Sequence, residues 1–159
     1  MIRKSSFIIL LVLLLQQAVS AAPLIGTGLE VAHLGSLRVL IEDLSETTKQ
    51  LGLTDDVLKD KIELRLRRNR ITPSDSRTSD YFLYLNLGTT QNSYSFTLEF
   101  SRSLVYRVGE QEYSIVAPVW IKNGFGVNTD RRKMRDDIVN RILDRVDTFS
   151  NEFLKVNRR

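Results

Sequence analysis

The 159-residue sequence has no cysteine and only one histidine. Without cysteine there is no disulfide, no thiolate metal cluster, no cysteine nucleophile and no cysteine to carry a lipid. A single histidine, His33, excludes a multi-histidine metal centre, and no acid or nucleophile pattern surrounds it. Neither charge sign dominates: 23 lysines and arginines face 19 acids, for a net charge of +4. That is too little for the basic surface that marks nucleic-acid binding. There is no internal repeat and no low-complexity tract. What is present is 42% apolar residues with 8% aromatics, the composition of a folding globular chain rather than a disordered one.

Residues 1–21 read as an export signal. Arg3 and Lys4 precede the apolar run Phe7 to Leu15, and Val19-Ser20-Ala21 places small residues where a signal peptidase cuts. Nine apolar residues fall well short of the roughly 20 that cross a bilayer. Cleavage after Ala21 lowers the net charge to +2 and leaves Ala22 first. The mature chain is then expected in the periplasm or outside the cell, with no transmembrane segment.

The rest reads as one unit. Residues 22–35, with Pro23 and three glycines, form a lead-in segment of little structure, and residues 36–159 form one domain. Leu37 to Glu42 is a first strand. Thr54 can cap a helix that opens on Asp55 and Asp56 and runs to about Arg70, with Leu58, Ile62 and Leu66 as its buried stripe. Three strands follow: Tyr81 to Leu87, Tyr94 to Val108 and Tyr113 to Lys122. In the second, Tyr94, Phe96, Leu98, Phe100, Leu104, Tyr106 and Val108 share one face, interrupted by Arg102. In the third, Tyr113, Ile115, Ala117, Val119 and Ile121 share one face, and Pro118 marks an edge or a bulge. Asn123 to Asn128 reads as a loop. A long helix fills most of 130–157, with an apolar seam from Met134 through Ile138, Ile142, Val146, Phe149 and Phe153 to Val156. The order β-α-β-β-β-α predicts an α+β two-layer sandwich, a mixed four-stranded sheet with two helices on one face.

Leu40-Ile41-Glu42-Asp43-Leu44, Leu53-Thr54-Asp55-Asp56 and Ile62-Glu63-Leu64-Arg65-Leu66-Arg67-Arg68 resemble stretches of small exported bacterial proteins of unassigned role. The element order resembles periplasmic α/β modules such as the amino-terminal domain of the Tol–Pal propeller protein. These likenesses imply a periplasmic scaffold or accessory role and carry over no catalytic residues.

Two groups of residues stand out as candidate sites. Arg65, Arg67, Arg68 and Arg70 crowd the end of the first helix, and Arg131 and Arg132 open the last; both sets could bind anions or lipid headgroups. Arg65 is also the expected ion partner of Glu42 or Asp43. Gly124-Phe125-Gly126 lacks the lysine and spacing of a phosphate-binding loop. If the helices cover the face made by Leu83, Leu85, Phe96, Leu98, Ile115 and Val119, alternation puts Phe82, Tyr84, Val105, Val116 and Trp120 on the open face. Aromatics in that position suit a docking patch. The leading expectation is a non-enzymatic exported module that binds another envelope protein or itself, with no catalytic residue, cofactor or metal. The alternative is a binder of a small or anionic ligand through the arginines, and a hydrolase with an unrecognised site is the third reading.

Overall fold

Leu37, Val39, Leu83, Leu85 and Leu87 are buried while the residues between them are half-buried or exposed. That period of two is a sheet with one face against a core. A computed structural model of the chain describes residues 27–31, 37–76 and 79–157. The expected signal, most of the lead-in and His33 lie outside the described residues.

The sheet has four strands in the order β1-β2-β3-β4: β1 (Leu37–Ile41), β2 (Tyr81–Thr89), β3 (Ser93–Val108) and β4 (Gln111–Val127). β1 runs parallel to β2, with Leu37 opposite Tyr81, and the other two pairings are antiparallel. The fold is α+β with a mixed sheet, as its element order predicts. β4 lies at an edge, where the missing N–H of Pro118 is tolerated.

Among the described residues three helices accompany the sheet: α1 (Glu46–Gln50), α2 (Asp55–Arg68) and α3 (Arg131–Asn157). Thr54 Oγ1 accepts from the Val57 N–H at the start of α2, and Leu53 and Leu58 on either side of that cap are both buried. The helix stops two residues earlier than its arginines suggest. Ile71 N–H donates to the Leu66 carbonyl and Arg70 N–H to that of Arg67, closing the end with Arg70 at φ 66°. The short α1 was not expected from the sequence. Its Ser45 cap and its buried Thr48, bonded to Thr89 Oγ1 at 2.8 Å, hold it to the end of β2.

The seams of α2 and α3 close on the inner sheet face. Leu58, Ile62, Leu66, Met134, Ile138, Ile142, Val146, Phe149 and Phe153 are buried against Leu83, Leu85, Phe96, Leu98 and Phe100. Val156 is half-buried at the end of the seam. Part of the lead-in belongs to this core. Leu29 is 2% exposed, Asn157 bonds the backbone of Leu29 and Val31, and Arg102 donates to the carbonyls of Gly28 and Glu30. A Cβ at Gly28, whose φ is +81°, would lie 2.8 Å from that of Val119.

β4 departs from its sequence pattern in two ways. Phe100 pairs with Trp120 but Ser101 pairs with Pro118, so Val119 is an extra residue in a bulge. Past it the alternation reverses. Trp120 faces the helices, while Ile121 joins Phe125 and Val127 on the open face. The expected loop at 123–128 is strand to Val127. Gly124 and Gly126 lie against the rings of Phe96 and Tyr94, where any Cβ would collide, so these glycines make room for aromatic side chains in a sheet.

Candidate functional site

The inner face of the sheet is closed by helices, so any site built on the sheet lies on the outer face or beyond the helices. Alternation along β1 and β2 puts Leu40, Phe82 and Tyr84 on the outer face, and register puts Ser101 and Val116 beside them. These five line a shallow, almost wholly apolar depression of about 360 Å³. Of the five residues expected on the open face, Phe82, Tyr84 and Val116 therefore lie together, and Val105 points to the same side.

Trp120 does not belong with them. The bulge at Val119 turns it inward, where it is 8% exposed, packs edge-on to Phe149 at 5.3 Å and donates its indole N–H to Glu152 Oε2 at 2.7 Å. An inserted residue shifts a strand's alternation by one, and no composition signal beyond Pro118 announces it. The same shift brings in Ile121, which alternation assigned to the inner face, and the strand continues through Phe125 and Val127, which were expected in a loop. Ile121, Phe125 and Val127 form an apolar row along the outer side of β4, with Phe125 76% exposed. Between this row and Phe82–Tyr84 runs the polar column Ser95, Thr97, Glu99 and Ser101 of β3. Burial and the neighbouring Glu42 carboxylate, with Glu99 adding to it, push the Tyr84 hydroxyl up from its ordinary pKa.

The second feature is an arm. β3 and β4 outrun the rest of the molecule: Ser103 N–H bonds to Asp80 just before β2 begins, and beyond that point the two strands pair only with each other. Ile115, expected under the helices, is exposed there together with Tyr106, Val108 and Tyr113 on one side of the ribbon and Val105 and Val116 on the other. Tyr106 stacks on Tyr113 at 5.4 Å, and Arg107 grips Glu112 through Nε and Nη2 near the tip.

The arginines are dispersed. Arg65 pairs with Asp147 on α3 at 3.2 Å, rather than with Glu42 or Asp43, and Arg67 pairs with buried Glu63 at 2.7 Å. Glu42 instead accepts from the Asn86 amide. Arg68 and Arg70 are exposed. Arg131 reaches Gln50 at 3.4 Å beside a polar hollow lined by Thr47, Thr90, Asn92 and Met134. Asp130 caps the start of α3 by accepting from the N–H groups of Arg132 and Lys133, which offsets the positive charges set there against the helix dipole. Asp147, the partner of Arg65, lies sixteen positions along α3 from Arg131, which sets the two about 24 Å apart along the helix. Among the described residues, no group of three or more histidines and acids is placed to hold a metal ion, and no helix is long and apolar enough to cross a membrane. No protein-family model matches the chain, and no curated protein matches it.

Proposed function

We propose that the mature chain is an exported, non-enzymatic protein-docking module, an accessory in an envelope assembly, that engages protein through the outer face of its sheet and through the arm. One observation carries this reading. Large apolar side chains are exposed together on the outer face and on both sides of the arm, where solvated sheet surface is ordinarily polar. The export signal and the likeness in element order to periplasmic modules support the address.

The test has two parts. Intact mass of the chain from its producing cell is expected to begin at Ala22. The tagged mature chain is then incubated with an envelope extract, alongside the variants Tyr84→Asp and Phe125→Asp. The unaltered chain is expected to associate stoichiometrically with protein, a second copy included, and each variant to lose that association while keeping its melting temperature. Association undiminished by either variant, or salt-sensitive binding to anionic vesicles in its place, refutes the reading; the vesicle result favours the arginines as an anion site.

A further inference from the structure

The arm is the part of the molecule that the fold does not explain. A two-stranded ribbon is at best marginally stable in water by itself, and this one exposes valines, tyrosines and an isoleucine on both sides. We infer that the outer face and the outer side of the arm, with Val105 and Val116, are covered by a second copy of this chain, in a two-fold dimer whose arms cross at their roots so that each lies on the outer face of its partner. The side of the arm with Tyr106, Val108, Tyr113 and Ile115 stays open. The inference rests on the docking reading above and names its occupant.

Three features select a second copy. The first is length. From Ser103 to Val108 the arm extends about 17 Å, and from Ser101 back to Ser95 the outer face with its flanking Tyr84, Ile121 and Phe125 extends about 20 Å on the other side of the root. A two-fold axis through the root, perpendicular to the strands, lays one length on the other, so each arm reaches the level of its partner's Phe125, a pair of residues short of Val127. Isologous pairing requires this match of one patch to another on the same chain. The second feature is area. Ribbon on sheet, counted twice, covers about 400 Å² of projected surface on each copy, and side-chain relief brings the accessible area buried to the order of 1,000 Å² that a specific interface needs. The third is charge. The outer face and arm carry Arg38 and Arg107 against Glu42, Glu99, Glu110 and Glu112, so both signs are present where two copies meet.

The absence of cysteine makes the test clean, because any cysteine introduced is unique. Sedimentation equilibrium of the mature chain over a concentration series is expected to show a dimer. Val105→Asp with Val116→Asp, both outside the core, is expected to raise the dissociation constant by about 100-fold or more with the melting curve of the core unchanged. Ser103→Cys, at the root, is expected to cross-link into dimers with a short bis-maleimide, since packed sheets lie about 10 Å apart. Asp55→Cys, at the start of α2, is expected not to. A dimer that Ser103→Cys does not cross-link overturns the crossed arms. A chain that is monomeric at every concentration overturns the second copy, whether it floats with lipid vesicles or captures an envelope protein. Capture abolished by Tyr84→Asp would still uphold the docking reading in that event.

Discussion

Arg102 shows how one residue can break a pattern for a structural reason. It interrupts the longest apolar alternation in the chain, yet its guanidinium lies over the Tyr81 ring at 5.7 Å and donates to the carbonyls of Gly28 and Glu30. The charge there fastens the lead-in segment across the root of the arm. Tyr94 is a second such residue. Its buried hydroxyl donates to Asp137, which also accepts from Arg141 Nε at 2.9 Å. Burial and then that bond push the Tyr94 pKa up to about 12, and the Tyr94 hydroxyl, followed by Arg141, holds the Asp137 carboxyl below its ordinary range. A raised phenol pKa means that the folded state favours the protonated form. Its stabilisation is complete below about pH 10 and is lost as pH rises towards about 12. Tyr94→Phe is therefore expected to cost about 1.5–3 kcal/mol at neutral pH, a hydrogen bond to a charged acceptor. The difference from the unaltered chain should shrink between pH 10 and 12. Urea unfolding of both proteins across that range checks it, and a constant difference would refute it.

Among the elements, β4 carries most of the discrepancy between pattern and structure. Its early half obeys simple alternation, Pro118 gives warning of a defect, and the bulge at Val119 then reverses every later residue. The glycines that suggest a loop at 123–128 are instead the counterparts of large neighbours: Gly124 opposite Phe96 and Gly126 opposite Tyr94. Pairing an aromatic with a glycine across an edge strand keeps the ring in the core without crowding the backbone. Gly124→Ala is expected to destabilise the protein by about 1–3 kcal/mol, because the new methyl drives into the Phe96 ring and that ring is already packed. Denaturant unfolding measures this, and a neutral result would mean that Phe96 swings aside. α2, by contrast, follows its signals closely, because a cap, an acidic first turn and a four-residue stripe are all local.

At the scale of the whole molecule the chain divides into a closed core and an open surface. The core centres on Phe149, whose ring lies 5.2–5.4 Å from those of Phe100, Trp120 and Phe153 and so joins α3 to β3 and β4. Truncation before Ile142 removes Ile142, Val146, Phe149 and Phe153, each contributing about 1.5–3 kcal/mol by burial. Against a total stability on the order of 7–20 kcal/mol for a chain of this length, that loss is expected to abolish cooperative folding. A sharp calorimetric transition in the truncated chain would show that α3 is dispensable. The large apolar side chains of the arm are exposed and none of them belongs to the core cluster.

The sequence by itself determined the order and kind of the main elements, the α+β class, the buried stripes of both long helices and the outward placement of Phe82, Tyr84, Val105 and Val116. These are consequences of short-range periodicity and capping, which act within a few residues. It did not determine where the core ends along β3, because alternation continues unchanged from Phe100 into the arm while the helices that would cover Leu104 and Tyr106 do not reach them. Nor did it determine the side on which Trp120 lies, the engagement of Arg65 with Asp147, or the separation of Asp147 from Arg131 along α3. Those were decided by register and by the packing of residues distant in the chain. A single inserted residue in a strand changes every later contact while leaving the local pattern almost intact.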